Sequence, residues 1–279
     1  MNGSLTEYAV SAMPASIEQM REVCGTAPSS DVGLKSDVEV FPDGVDVTLE
    51  DTNHNPYKAM FCAATATWGD NEYEQKWDKT SIENKLEVVK AVLTHNTLPL
   101  AREVVSFLFR VKGLPRWLFD HHTHTPFCTF MSIGCRDNNK SDADLVLLGY
   151  NVVGTTHEIN KTTSSFQINA LRQAKEIYHE IVNEGNETWQ SARAFLPQCY
   201  QHSYYFYQNL LSMGSMRFDI TNNEGFNLKH FYVTSIKNAI TDRFPLIGDY
   251  MTTILTDGDF ERIEDYRLKE NDIKLLEQK

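Results

Sequence analysis

"REVVSFLFRVKG", residues 102–113, decides the fold. Val105, Phe107, Phe109 and Val111 recur at every second position, with Ser106, Leu108 and Arg110 between them. That period of two describes a strand buried on one face, which Gly113 is read as closing. Upstream, "DVEVFPDGVDVTLED" (37–51) alternates Val38 and Val40, turns at Pro-Asp-Gly and resumes at Val45, Val47 and Leu49, which reads as a hairpin. "NPYKAMFCAATATW" (55–68) carries helix formers. Thr80 and Glu83 form a capping box ahead of Ile82, Leu86, Val89 and Leu93 at helical spacing.

Downstream, helices dominate the reading. "SSFQINALRQAKEIYHEIVNEG" (164–185) sets Phe166, Leu171, Ala174, Ile177, Tyr178 and Ile181 on one face, and Gly185 suits its stop. "TWQSARAFLP" (188–197) predicts a short helix ended by Pro197. "YQHSYYFYQNLLSMGSM" (200–216) is read as an aromatic-rich helix, its Tyr204–Tyr207 run as core. "NLKHFYVTSIKNAITDRFP" (227–245) predicts another helix and "PLIGDYMTTIL" (245–255) one more, while the charged end "ERIEDYRLKENDIKLLEQK" (261–279) is expected at the surface. Strands come first and helices later, so the class is α+β, with a central, mainly antiparallel sheet flanked by helices. The expected division is an extension at 1–37, one domain at 38–250 and a charged tail at 251–279.

Composition narrows the function classes. Over 279 residues, 41% are apolar and 23% charged, as in a globular protein. No apolar run approaches the roughly 20 residues of a membrane span, and the amino end lacks the pattern of a signal peptide. Five scattered cysteines without a CxxC predict reduced thiols, hence a cytoplasmic location. A net charge of −12 disfavours a nucleic-acid polymer but leaves room for a small anion held by placed arginines. There is no GxGxxG, GxxxxGK[ST], HExxH or GxSxG.

The chemistry concentrates in "RWLFDHHTHTPFCTFMSIGCRD" (116–137), where His121, His122 and His124 crowd four positions. Adjacent residues on one element point in different directions, whereas zinc ligands come from spaced positions, and seven residues separate Cys128 from Cys135. No metal is expected; the plainest reading of the residues themselves is a polar bend whose histidines bond locally.

Several segments in order resemble the flavin-dependent thymidylate synthases, over roughly residues 38–245. "TLEDTNHNPYKAMFCAATATW" (48–68) looks like an early helix of that family, with Thr67 where a flavin-contacting Ser stands. "VVKAVLTHNTLPLAREVVSFLFRVKGLPRW" (88–117) resembles the helix-to-strand passage, with His95 and Thr97 on the flavin side. The family's RHR signature, seven residues and a Ser fall without gaps on His124-Thr125-Pro126 and Gly134, with Arg136 as the later Arg. A two-residue shift instead uses His122-Thr123-His124 and Ser132; either way both signature arginines are gone. "ARAFLPQCYQHSYYFYQNLLS" (192–212) keeps the downstream pattern at Arg193, Pro197, Asn209 and Ser212, with Leu211 where another Arg would stand. Arg217 is the counterpart of the Arg that grips the pyrimidine, and "KHFYVTSI" replaces the segment that should follow.

The resemblance implies an enzyme that moves a one-carbon unit from methylenetetrahydrofolate to C5 of a pyrimidine nucleotide, with FAD as cofactor and NADPH as co-substrate. dUMP methylation leads; methylation or hydroxymethylation of dCMP or UMP, or a silent nucleotide-binding paralogue, are the alternatives. It implies catalytic roles for Arg217 and His124 and substrate binding by Arg136, Arg193, His121, Gly134 and Cys135. Cofactor binding falls to Thr67, His95, Thr97, His122, His124, Asn209 and Ser212. It also implies a homotetramer with sites between subunits, and the Asn-, Asp- and Lys-rich composition resembles that of large phages. Guanidinium groups suit a phosphomonoester because they stay charged and bind it bidentately.

Overall fold

Val105, Phe107, Phe109 and Val111 are all fully buried, in a computed structural model that describes residues 38–41, 45–66, 73–94, 99–132, 140, 145–148, 161–183, 185, 189–216, 228–255 and 266–278. From the amino end, β1 (Val38–Phe41) and β2 (Asp46–Thr52) precede α1 (Pro56–Ala66), α2 (Tyr73–Lys79), α3 (Ile82–Thr94) and α4 (Pro99–Glu103). Next come β3 (Ser106–Pro115), α5 (Arg116–His122), β4 (Cys128–Ser132) and β5 (Leu145–Leu148). Then follow α6 (Lys161–Asn183), α7 (Trp189–Ala192), a 3-10 turn at Arg193–Phe195, β6 (Gln201–Asn209) and α8 (Leu210–Ser215). α9 (Leu228–Phe231) continues through a π-helical stretch, Tyr232–Ile236, into α10 (Lys237–Thr241), and α11 (Pro245–Leu255) and α12 (Glu270–Glu277) follow.

The α+β expectation holds. A four-stranded sheet in the order β2-β3-β6-β4 is antiparallel throughout, with β3 inside. The inner face of β3 meets that of β6, where Phe109 stacks on Phe206 at 4.9 Å between ring centroids. β3 does not stop at Gly113. The glycine sits at φ 80° where the β3–β6 register shifts between Val111 and Leu114, and the strand runs on to Pro115. A left-handed backbone at a bulge is a position that glycine takes without strain.

Two assignments of element type or pairing fail. The stretch 37–51 is not a hairpin: β1 pairs parallel with β5, and β2 pairs antiparallel with β3. The alternation of β2 is satisfied by the buried face of a distant strand rather than by its sequence neighbour. Nor is 200–216 an aromatic helix. His202, Tyr204, Phe206 and Gln208 are buried, while Ser203, Tyr205 and Tyr207 are exposed, so residues 201–209 follow a period of two. Aromatic residues on both faces hide that period, and paired strands favour them. On α6, Tyr178 is buried as expected and Leu171 and Ile181 partly so, but Ile177 is 44% exposed.

The cap of α3 falls one residue later than predicted. The Ser81 hydroxyl accepts from Asn84 N at 3.3 Å, whereas Thr80 Oγ1 donates back to Lys76 O at 2.6 Å. The Glu83 carboxyl is held below its ordinary range by its own backbone amide and by Ser81. Ser81→Ala is expected to lower stability by about 1 kcal/mol, read as a shift of the urea midpoint at constant slope. Thr80→Ala, which leaves that cap in place, serves as the reference.

The charged carboxyl end is not simply surface. Asp272 and Leu276 are completely buried. The carbonyls at the end of α12 and at the residue after it receive donors from the residue before α1 and from α2 and α3: Asn55 Nδ2 to Leu275 O at 2.7 Å, Trp77 Nε1 to Gln278 O at 2.6 Å and Lys85 Nζ to Leu276 O at 2.7 Å. Such side-chain donors satisfy carbonyls that a helix end leaves open. No described helix is long and apolar enough to cross a membrane.

Candidate functional site

The histidine bend is built from α5. Two backbone bonds fix its start to the chain just beyond "ARAFLP": Arg116 N donates to Tyr200 O at 3.2 Å and Trp117 N to Gln198 O at 3.0 Å. Its end closes with Thr123 N to Phe119 O, His124 N to His121 O and Thr125 N to His122 O, at 2.9, 3.1 and 2.9 Å. Phe127 then takes a left-handed backbone at φ 52° and leaves its ring 85% exposed before β4 begins. A large non-glycine residue in that region is a strained exception, and such exceptions gather at functional positions.

The three histidines do not share an environment. His121 and His124 are exposed, whereas His122 has no accessible surface. The His122 ring lies edge-on among Phe130, Phe206, Phe231 and Tyr232. Its Nδ1 is 2.8 Å from the Tyr204 hydroxyl and its Nε2 is 2.8 Å from the Tyr232 hydroxyl. Burial, reinforced by His121, pushes its pKa down to about 3, so the ring is neutral near pH 7. His122, expected on the cofactor side, has both ring nitrogens engaged inside the chain.

Asn209 is half-buried and Ser212 nearly buried, and both bond within the chain. Asn209 ends β6 and caps α8, its Oδ1 accepting from Ser212 N at 2.7 Å. The Ser212 hydroxyl, nearly buried, accepts from Gln208 Nε2 at 2.8 Å and donates to Pro126 O at 2.5 Å. Ser212 thus ties α8 to the bend and has no proton left for a cofactor. Arg193 is exposed on its 3-10 turn, and no ion pair or side-chain hydrogen bond holds its guanidinium among the described residues. Thr67, His95, Thr97, Gly134, Cys135, Arg136 and Arg217 lie outside the described residues.

The structure therefore brings His122, Ser212 and Asn209 together beneath the bend and leaves His121, His124 and Arg193 on the surface. Sequence reasoning missed Gln208, Tyr204 and Tyr232, which complete the buried polar set. Gln208 carried a readable signal, being a polar residue on the inward side of an aromatic strand. His202 was also missed. It is 1% exposed, neither ring nitrogen has a hydrogen-bond partner among the described residues, and burial pushes its pKa down to about 4. An open depression of about 660 Å³ on the outer sheet face is lined by Arg110, Lys112, Met131, Ser132, Ser203 and Tyr205. Of the signature positions that fall among the described residues, Ser132 borders it. Among the described residues no three His, Cys, Asp or Glu side chains are placed to hold a metal ion.

A family model described as thymidylate synthase complementing protein matches residues 48–218. No curated protein matches significantly. Among solved structures, the UMP/dUMP methylase PolB from Streptomyces cacaoi, bound with 5-Br dUMP, is similar at 13% identity and a TM-score of 0.59, over 80% of this chain and 99% of that one. Thymidylate synthase X from Helicobacter pylori, with FAD and dUMP, is similar at 12% identity and a TM-score of 0.54, over 76% of this chain and 98% of that one. At such identities the likeness to these structures is one of fold.

Proposed function

Because the chain belongs to the thymidylate synthase complementing protein family, we propose that it is a flavin-dependent methyltransferase acting at C5 of a pyrimidine nucleotide monophosphate, with dUMP as the leading substrate. The observation that carries this reading is the family match, which spans both the altered signature bend and the "ARAFLP" passage. The donor set fits the ligands in kind. Arg193 offers an exposed guanidinium with no ion pair among the described residues, and His121 and His124 offer exposed imidazoles on the bend that carries the exposed Phe127.

In this reading Arg193 and Arg136 hold the nucleotide phosphate, with His121, Gly134 and Cys135 beside it. Arg217 holds the pyrimidine, and His124 stands at the reacting edge. Thr67, His95, Thr97 and Asn209 face the flavin. His122 and Ser212 support that wall from below rather than touching it. A bound flavin would supply the two-electron chemistry of the transfer, with NADPH as reductant and methylenetetrahydrofolate as carbon donor. The protein's own task is to bind the phosphate, orient the base and keep water from the reacting carbon. Sites shared between subunits of a homotetramer belong to the same proposal.

A second reading has its own support. One similar fold is a methylase of both UMP and dUMP, and this chain has lost two arginines of the signature, so a ribonucleotide competes with dUMP for the assignment. The deciding experiment incubates the protein with FAD, NADPH, methylenetetrahydrofolate and each of dUMP, UMP and dCMP, and reads product mass. A gain of one methyl group on a single nucleotide assigns the substrate. Absence of flavin binding, judged by absorption between about 350 and 500 nm, would overturn the proposal.

Arg193→Ala is expected to weaken nucleotide binding about 10- to 100-fold, the loss of a charge-assisted bond worth about 1.5–3 kcal/mol. Because the side chain is exposed, the melting temperature of the free protein should barely move. Unchanged affinity in a thermal-shift titration would remove Arg193 from the phosphate site.

A further inference from the structure

The five hydrogen bonds beneath the bend run in one direction only. Pro126 O can accept but cannot donate, so the Ser212 hydroxyl must give its proton there. The Ser212 oxygen then accepts from Gln208 Nε2. That orients the Gln208 amide with its oxygen on Tyr232, whose hydroxyl donates at 2.5 Å. The Tyr232 oxygen in turn accepts from His122 Nε2–H, leaving Nδ1 bare to accept from the Tyr204 hydroxyl. Reversing the order would set two acceptor oxygens face to face at the Pro126 end. The five side chains are buried, so none of them exchanges its place for bulk water, while Pro126 at the end of the series is exposed.

We propose that His122 is a positioning residue, fixed as its Nε2–H tautomer, and that the relay Tyr204–His122–Tyr232–Gln208–Ser212 sets the Pro126 carbonyl and with it the surface formed by His121, His124 and Phe127. The relay draws on α5, β6, α8 and the first residue of the π-helical stretch Tyr232–Ile236. Single π turns inside α-helices recur at functional sites. The relay's end point is the residue before Phe127, whose left-handed backbone needs its surroundings to hold it. The functional half of the inference rests on the assignment of the bend to the nucleotide and flavin site; the tautomer and the relay do not.

The test uses the full-length protein with its histidines labelled with ¹⁵N. In the wild type, His122 should show a protonated Nε2 and a bare Nδ1, unchanged between pH 8 and 5. Tyr232→Phe removes the acceptor of Nε2–H without opening a cavity, so the proton should move to Nδ1 and face the Tyr204 oxygen. Ser212→Ala, which touches no atom of His122, should leave the direction of the relay undefined and mix the two tautomers. A wild-type ring protonated at Nδ1, or a Ser212→Ala protein with the wild-type signature, would overturn the relay. In both variants dUMP and FAD should bind at least about tenfold more weakly. Wild-type affinity alongside an altered tautomer would overturn the positioning role. A wild-type protein that binds neither ligand would remove the proposed function and leave the tautomer result standing. If Ser212→Ala does not fold, Tyr232→Phe carries both readouts.

Discussion

Asp272→Ala is expected to cost about 3–5 kcal/mol, the scale associated with leaving buried polar partners uncompensated. Its carboxylate lies at zero exposure and takes bonds from four donors: the Tyr57 hydroxyl at 2.5 Å, the Tyr266 hydroxyl at 2.6 Å, Lys269 N at 3.1 Å and Leu246 N at 3.3 Å. Alanine would strand a buried tyrosine hydroxyl on α1 and a buried amide on α11, and would remove the cap of α12. Burial, and then the charge of Asp272, hold the Tyr57 phenol far above its usual pKa, so in the wild type it stays a donor to that carboxylate. Urea unfolding followed by circular dichroism reads the effect. Asp272→Asn keeps the shape and one acceptor oxygen, so it should fall between wild type and alanine. A loss below about 1 kcal/mol for Asp272→Ala would show that the carboxylate does not secure the helix.

Acid should unfold the protein early, and two histidines should set much of the slope. His122 and His202 bind protons in the unfolded chain near pH 6.5 but resist them in the fold until about pH 3 and about pH 4. In both, burial is the main cause; His121 adds to it at His122, and Arg116 and Lys140 add to it at His202 while Asp120 opposes. Both pKa values are depressed on folding, so the stabilisation is complete above pH 6.5 and drains away as pH falls towards 4. Each ring contributes up to about 1.4 kcal/mol per pH unit, or about 3 kcal/mol over that span. His202→Phe offers a clean measurement. It replaces an imidazole with unbonded nitrogens by a ring suited to the contacts with Phe119 and Tyr204. Unfolding free energy against pH should lose about half its slope between 6.5 and 4, with stability at pH 8 unchanged or raised. An unaltered slope would refute the assignment to His202.

The parts of the fold that sequence disclosed are those in which one face carries all the signal. β3 and α3 each place apolar residues on a single side, and both were legible. β6 was not, because Tyr205 and Tyr207 look outward while Tyr204 and Phe206 look inward, so the aromatic residues form an unbroken run. The hairpin reading relied on a turn sequence, and a long-range ladder with β3 outweighed it. At the site, the sequence showed three equivalent histidines. Helical spacing could have separated them, because Leu118, Phe119 and His122 fall on one face and all are buried. The buried partners Tyr232 and Gln208 come from segments more than eighty residues downstream, and no local pattern announces such a meeting.

The anchoring of α12 also imposes an order in time. Asn55, Trp77 and Lys85 find their acceptors 220, 201 and 191 residues later in the chain. As a ribosome makes the protein from its amino end, those three groups emerge long before the carbonyls they bind. The groups therefore wait, unpartnered by α12, while about 190 to 220 further residues are made. The Trp77 indole is closed by Gln278 O on its edge and by the Lys85 ammonium 4.2 Å from its ring centroid. Its fluorescence would mark the moment at which α12 docks against the helices made before it.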